Sequence, residues 1–491
     1  MYSSLMLFVI LFPIIMGGLM LVIPFKTKKL MNIYLQVVVI INSLVAGYLL
    51  LHRTDEVITA INFTGDLSIA FTIDGMGLIF AGLIAILWPF ANLYASEYMC
   101  HEKRTKVFFV FYTMTFGVTL GIAMSANLIT MYLFYELLTL VTLPLVMHSL
   151  SREAILASRK YLYYSLGGAA FAFIGVIFLI VYGQTSNFIW GGVLKQFNFD
   201  SGIVNRLLLI YVITFLGFGV KAAVLPFNSW LPQAGVAPTP VTALLHAVAV
   251  VKSGAFAIIR ITYYSFGVQF LKGTWAQNVV MVLVILTIVY GCSMALKETH
   301  FKRRLAYSTI SNLSYILFGV VIMTPLGLVG GLLHMIAHAV TKITSFFCAG
   351  SIMHQTGKNY IHELDGLGKK MPIVCGIFTF SSLALMGVPL TPAFISKWNL
   401  AYAAVKEGTT LSYIGIAALL ISALLTAIYM LTIVMRFFFP TKGENLQIND
   451  DYKDPNWCMI LPLFVFVGLM ILYGIFAQDI IDYILTFTIG G

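Results

Sequence analysis

The chain has 491 residues, 60% of them hydrophobic and 10% charged, against roughly a quarter charged in an average soluble domain. Apolar runs of the ~20 residues that a membrane helix needs recur from end to end, which excludes an ordinary soluble enzyme and indicates an all-α polytopic membrane protein. The net charge of +10 is no nucleic-acid signature, because most of the excess sits in short loops on one side, and the five cysteines lie far apart without a CxxC, so no zinc, iron–sulfur or disulfide framework follows from them.

Fourteen spanning segments are predicted, near 5–24, 31–51, 75–95, 107–125, 128–148, 161–182, 207–228, 239–263, 276–296, 303–323, 327–353, 372–405, 411–436 and 457–478. No cleavage pattern follows the first, which reads as a retained helix rather than a signal peptide. The seventh ends in "AVLPFNSWLPQAGVAPTP", and the twelfth contains "GVPLTPAF". In both, prolines remove backbone donors and break the helix. Irregular backbone at membrane depth is tolerated only where protein or a water-filled cavity satisfies it. The two broken spans lie five apart in order, so they run in opposite directions, as inverted repeats do. The expected organisation is residues 1–106 (spans 1–3), a first repeat over 107–264 (spans 4–8), a second over 265–440 (spans 9–13), and a C-terminal loop and span over 441–491.

Alternate loops, beginning with the one after the first span, hold most of the 29 Lys and Arg residues, among them Lys28, Lys103, Lys302, Arg303, Arg304 and Lys442. The opposite loops hold Arg53, Lys195, Arg206, Lys272 and Lys406. This asymmetry places the first set in the cytoplasm and both termini outside an inner membrane. Within the spans remain Lys221, Lys252, Arg260, Lys342 and Lys397. Arg260, near the outer end of the eighth span, is expected to snorkel. The other four cannot easily do so.

Glu136 lies within the fifth span, and Lys221 upstream of the break in the seventh. Lys252 is in the middle of the eighth, with His246 about 9 Å nearer the cytoplasm along a continuous helix. His334, His338 and Lys342 are spaced i, i+4, i+8 and share one face of the eleventh span, and Lys397 follows the break in the twelfth. Taken singly, His246 also reads as a packing residue and Lys397 as a cap on carbonyls at a helix break. Taken together, they are expensive to bury, and intramembrane ionisable residues mark ion paths. One carboxylate cannot neutralise four lysines. Desolvation and neighbouring like charge disfavour the ammonium form, which lets such lysines exchange protons at cellular pH, with histidines as relays. A sodium site needs clustered oxygen ligands, so the set favours a proton path. Nothing in the chain calls for a cofactor or a metal.

Three stretches carry a resemblance: "GFGVKAAVLPFNSWLPQAGVAPTPVTALLHAVAVVKSGAFAIIR", "ALKETHFKRRLAYSTISNLSYI" and "HMIAHAVTKITSFFCAGSI", followed by "GVPLTPAFISKWNL". They resemble the antiporter-like subunits of respiratory complex I, Mrp-type Na+/H+ antiporters and membrane-bound hydrogenases, over roughly residues 75–440. The resemblance implies fourteen helices in two inverted five-helix repeats and a buried proton path. In it Glu136 pairs with Lys221, and Lys252 is the central relay with His246 beside it. His334 and His338 continue the path, Lys397 leads outwards, and Lys342 stands on the same stripe. "SKW" and the chain length look closest to the Mrp D subunit, with its hydrogenase counterpart, whereas the further lateral helix of complex I chain L is not expected here. The resemblance also implies partners: other membrane subunits, including neighbouring antiporter-like ones, within membrane lipid, with H+ as the ion and Na+ moving, if at all, through a neighbour. The competing readings are a stand-alone transporter of a small solute, a transport-inactive scaffold, and a quinone-binding subunit.

Overall fold

The computed structural model describes residues 2–54, 56–64, 67–194, 199–440 and 451–489. Lys195 and Lys442, counted above among the loop charges, lie outside the described residues. Helices α1 (Tyr2–Leu19) and α2 (Lys28–Leu51) lead into an antiparallel hairpin, β1 (Ile58–Thr64) and β2 (Leu67–Phe71). Then follow α3 (Gly75–Tyr98), α4 (Thr105–Ala123), α5 (Leu128–Val146), α6 (Arg152–Gly183) and α7 (Ser201–Gly219). After an irregular stretch come the short α8 (Trp230–Gln233), a 3-10 turn at Ala234–Val236, and α9 (Thr239–Ala247) and α10 (Val250–Ile259), which runs into a π-helical turn at Arg260–Phe266. The second half contains α11 (Val268–Leu271), α12 (Trp275–Lys297), α13 (Phe301–Val321), α14 (Pro325–Thr356), α15 (Pro372–Met386), α16 (Pro392–Glu407), α17 (Thr410–Phe438), α18 (Trp457–Ile475) and α19 (Ala477–Ile489).

A helix or helix pair therefore stands at each of the fourteen expected positions. Among the described residues, 12 helical segments are long and apolar enough to cross a membrane, one of them the composite Thr239–Phe266. The two positions that fall short do so for opposite reasons. α13 opens on Lys302, Arg303 and Arg304 and carries Ser308, Thr309, Ser311, Asn312 and Ser314, a polarity it tolerates because it is almost wholly buried in protein. α15 and α16 are only 15 and 16 residues long because the chain breaks between them.

Several expectations are corrected. The seventh span breaks earlier than its prolines suggest. α7 ends at Gly219, Ala223 sits at φ 56°, and Lys221 lies in the break rather than upstream of it. The Trp230 indole donates to the freed Val220 carbonyl at 2.8 Å, which stabilises the turn without a helical partner. The eighth span is not continuous: it is interrupted at Val248–Ala249, between His246 and Lys252. The hairpin was not foreseen. It joins the end of the bundle through Thr72 N–H to Met124 O (2.8 Å) and Ala126 N–H to Ala70 O (3.0 Å). A further helix, α19, follows the fourteenth position and packs against α3 and α14.

Arg260 does not snorkel. Its side chain is buried and makes two hydrogen bonds to Asp74, the longer at 2.7 Å, while Asp74 also caps α3 by accepting from Gly77 N–H at 2.8 Å. Phe188, Phe256 and Tyr264 place their rings about the guanidinium, with centroids 4.6–5.0 Å away. A planar fork matched to one carboxylate and flanked by aromatic faces is stable where an extended side chain reaching for lipid headgroups has no advantage.

α10 packs directly on the break after α7. A Cβ built on Gly254 would stand 2.5 Å from Ala222 N and 2.9 Å from Lys221 C, so only glycine allows this approach. Gly254→Val is expected to lower the thermal stability of the purified protein by about 1–3 kcal/mol, the usual cost of overpacking, while Gly468→Ala, where a Cβ meets nothing within 4 Å, stays near neutral. Asp74→Asn keeps the helix cap but strips the charge facing Arg260. It is expected to cost about 2 kcal/mol, less than for a fully buried pair because the Asp74 side chain is partly exposed. Glu407→Gln, at the surface pair with Lys272, should cost under ~1 kcal/mol. Thermal unfolding in lipid nanodiscs measures all four.

Candidate functional site

Lys221, His246, Lys252, His334, His338 and Lys342 are fully buried, and Glu136 and Lys397 partly so. Their backbone positions follow from the helix interruptions and from the long, polar-faced α14. On α14, His334 and His338 are one turn apart with rings 6.0 Å apart and nearly parallel. Lys342 is one turn further on.

The break at Val248–Ala249 leaves the His246 carbonyl without its helical donor, and Lys252 Nζ reaches back to it at 3.4 Å. The same Nζ is hydrogen-bonded to His338 Nδ1. Lys252 thus bridges α9 and α14. The expected separation of His246 and Lys252 along a straight helix does not describe this contact. The next ring, His334, is bonded through Nδ1 to Ser396 Oγ at 2.9 Å, and its ring centroid lies 5.0 Å from that of Tyr315. Ser396 is the neighbour of Lys397, whose Nζ stands 5.5 Å above the Tyr315 ring and donates to Leu385 O and Met386 O, both at 2.9 Å. Those carbonyls belong to the last turn of α15, so Lys397 caps the helix break as well as closing the row. At the other end, Lys342 donates to Leu305 O at 3.2 Å and to Ser308 Oγ.

The structure therefore brings Lys342, His246, Lys252, His338, His334 and Lys397 into one buried row. Glu136 and Lys221 lie outside this row and near enough to each other to interact electrostatically. Lys221 Nζ lies 3.4 Å above the Tyr135 ring and donates to the Tyr135 carbonyl. No ion pair joins Lys221 to Glu136 within 4.0 Å among the described residues. Glu136 Oε1 is buried without a hydrogen-bond partner, on a helix face that also exposes Leu133 and Leu140.

Both nitrogens of His246, and Nε2 of His334 and of His338, are buried without a protein partner. Leaving such a group unsatisfied costs about 1–3 kcal/mol, so these atoms mark where water is most strongly favoured inside the bundle. Sequence reasoning missed Ser308, Tyr315, Ser396 and Lys302. The run "LAYSTISNLSY" on α13 is the signal that could have found the first two, since its hydroxyls and amide are polar at positions buried from solvent.

Comparison with known proteins sets this geometry in a family. The family model described as "NADH:quinone oxidoreductase/Mrp antiporter, TM" matches residues 125–426, a stretch that contains every residue of the row together with Glu136 and Lys221. The chain belongs to this family. It is an antiporter-like, multi-pass membrane protein. Among curated relatives, NADH-quinone oxidoreductase subunit N of Desulforudis audaxviator (strain MP104C) is 28% identical over 423 residues, 83% of this chain and 82% of that one. The putative antiporter subunit mnhA2 of Staphylococcus haemolyticus (strain JCSC1435) is 29% identical over 431 residues, 82% of this chain but only 52% of that one. Among solved structures, a chain of the Mrp complex from Dietzia sp. DQ12-45-1b superposes with TM-score 0.83 at 21% identity, covering 98% of this chain and 96% of that one. A chain of an archaeal membrane-bound sulfane sulfur reductase does so with TM-score 0.84 at 22% identity, with the same coverage. At these identities the structures establish a shared fold.

Ser396 gives this member of the family a local test. Ser396→Ala leaves His334 Nδ1 without its partner and removes the hydroxyl placed between that ring and the Lys397 turn. It is expected to lower stability by about 1–3 kcal/mol with assembly retained, and, on the function proposed below, to reduce proton flux several-fold. Vesicle pH-dye quenching and thermal unfolding read the two quantities separately.

Proposed function

We propose that the chain is a proton-translocating membrane subunit of a multisubunit complex, either an Mrp-type cation/H+ antiporter or a ferredoxin- or NADH-linked oxidoreductase or hydrogenase. The observation that carries this reading is the Lys252–His338 hydrogen bond at the centre of the buried row. An amine and an imidazole that share a hydrogen bond away from bulk water exchange a proton without either group having to move far.

Protons are taken up from the lysine-rich, cytoplasmic side near His246 and Lys342 and pass to Lys252. From there they cross His338 and His334, with Ser396 and water, to Lys397 and leave outwards. The breaks at 220–229 and 387–391 act as equivalent positions of two inverted repeats, residues 107–264 and 265–440. Glu136 and Lys221 form the control pair. The arrangement described above, with Lys221 on the Tyr135 carbonyl, is its open form, and closure brings the carboxylate to the ammonium. Moving one charge through 100 mV requires about 2.3 kcal/mol, within the range that making or breaking a buried ion pair supplies. The energy comes from partner subunits or a counter-ion gradient. Neighbouring membrane subunits, including other antiporter-like ones, are the partners, and the lysine-rich loops support an orientation with both termini outside the inner membrane. Within the family, the "SKW" motif and the chain length support a likeness to the Mrp D subunit and its hydrogenase counterpart.

Lys252→Ala is expected to abolish proton translocation by the complex, more than tenfold in everted membrane vesicles, while assembly is retained on native gels. Lys252→Arg should also fail, since a guanidinium does not release its proton at cellular pH. Normal translocation in Lys252→Ala would leave the chain a scaffold.

A further inference from the structure

We propose that Lys302 and the polar pocket above it form the uptake vestibule through which protons reach the buried row; this rests on the proton-path reading and adds its missing first step. The pocket holds about 290 Å³ and is lined by Ser151, Glu153, His300, Lys302, Arg303 and Tyr360, with the backbone of the 3-10 turn at Gly235 and Val236 closing one side. It lies at one end of the bundle, where α6, α13 and the end of α14 meet, and its rim residues Glu153 and Arg303 are exposed. That volume accommodates several waters.

Lys302 forms part of the wall and is 6% exposed. In the sequence it belongs to a basic loop cluster whose purpose is orientation. In the structure it has left the loop, and its Nζ donates to Ala237 O at 3.0 Å, just before α9. Two polar connections descend from there. Thr242 Oγ1 shares the Ala237 carbonyl at 3.1 Å, and one turn further along α9 is His246, whose two ring nitrogens lack protein partners. Along α13, Leu305 is one turn from Lys302, and its carbonyl accepts from Lys342 Nζ at 3.2 Å. Lys302 is therefore one helical turn, about 5 Å, from Leu305, whose carbonyl holds Lys342, and shares the Ala237 carbonyl with Thr242, one turn before His246; on its outer side it faces the polar pocket. His300, beside it, is held below the ordinary histidine range by burial and by the charges of Lys302 and Arg303. Its imidazole is thus neutral at neutral pH and adds no positive charge to the wall beside Lys302.

In the step assigned here, the Lys302 ammonium passes one proton inwards, over water, to His246 or Lys342, and the amine left behind takes a proton from vestibule water, which restores the ammonium. One proton moves and no group is consumed. A bland alternative exists: Lys302 only ties the 3-10 turn to α13.

Two substitutions and one blockade separate these roles, each measured on the complete complex in everted membrane vesicles, where the lysine-rich face is outside. Lys302→Arg preserves both charge and tether but not proton release. It is expected to slow proton uptake at least tenfold with the thermal unfolding temperature unchanged; a wild-type rate in Lys302→Arg would reduce Lys302 to a tether and overturn the proposal. Lys302→Gln is expected to be equally slow. Tyr360→Cys, on the exposed rim, is measured before and after a bulky membrane-impermeant maleimide is added, which should stop its remaining uptake, with the unsubstituted complex treated alike as control. Full uptake after labelling would place the inlet elsewhere. If Lys252→Ala abolishes translocation while both vestibule tests have no effect, the buried row stands and only this inlet falls; if Lys252→Ala is itself silent, the row falls first.

Discussion

An amine inside a membrane protein has exchanged water for a medium of low dielectric, and it persists there only if oxygen or nitrogen acceptors meet it. That requirement organises this fold. An uninterrupted helix offers no free carbonyl away from its ends, and two of the interruptions at membrane depth supply one to a lysine. Lys252 reaches the His246 carbonyl released at Val248–Ala249, and Lys397 the two carbonyls at the end of α15. Lys221 and Lys342 instead draw on carbonyls of neighbouring helices, at Tyr135 and Leu305. A carbonyl accepts from a neutral amine as well as from an ammonium, though less strongly. Held this way, a lysine keeps its place through a change of charge, which a lysine held by a carboxylate does not.

This distinction separates the buried arginine from the buried lysines. Arg260 faces Asp74 through two charge-assisted bonds and is enclosed by aromatic rings. Its charge is fixed and fully answered, so it ties α3 to the end of α10 and has no proton to trade. The four lysines lack a carboxylate within ion-pair distance among the described residues. On the proposed reading, the division between cations that hold the bundle together and cations that change state is set by partner chemistry rather than by depth or residue count.

Proline and charge made part of this legible in the sequence. Hydropathy marked the 12 segments that are long and apolar enough to cross a membrane among the described residues, and the prolines of "LPFNSWLP" and "GVPLTPAF" marked two broken regions, the first of which opens earlier, at Gly219. The i, i+4, i+8 spacing placed His334, His338 and Lys342 on one face. What stayed hidden depended on contacts distant in the chain. Asp74 and Arg260 are 186 positions apart, and nothing in either neighbourhood announces the other. The interruption at Val248–Ala249 has no proline or glycine to mark it, because its stability comes from Lys252 and His338 rather than from local propensity. Lys302 was read as one more loop charge since its burial depends on where the 3-10 turn before α9 folds back. The hairpin over 58–71 is short and joined to the bundle by backbone hydrogen bonds, which sequence patterning does not register.

The position of Glu136 adds a final constraint on how such a row could be governed from outside. Glu136 and Tyr135 are neighbours on α5, yet the helix points them about 100° apart. The Tyr135 carbonyl holds Lys221 in the interior, while the Glu136 carboxylate lies towards a face that exposes Leu133 and Leu140. The carboxylate can therefore answer to a charge outside the chain, whereas Lys221, fully buried, answers only to what is inside. Transfer of Lys221 from the Tyr135 carbonyl to the Glu136 carboxylate would bring that outside influence inwards. Because Gly254 lets α10 rest directly on Lys221 and Ala222, any backbone adjustment at the break is felt two residues from Lys252. On the proposed reading, the close approach at Gly254 is what joins the control pair to the row, and it does so by packing, without requiring Lys221 to lie on the proton route at all.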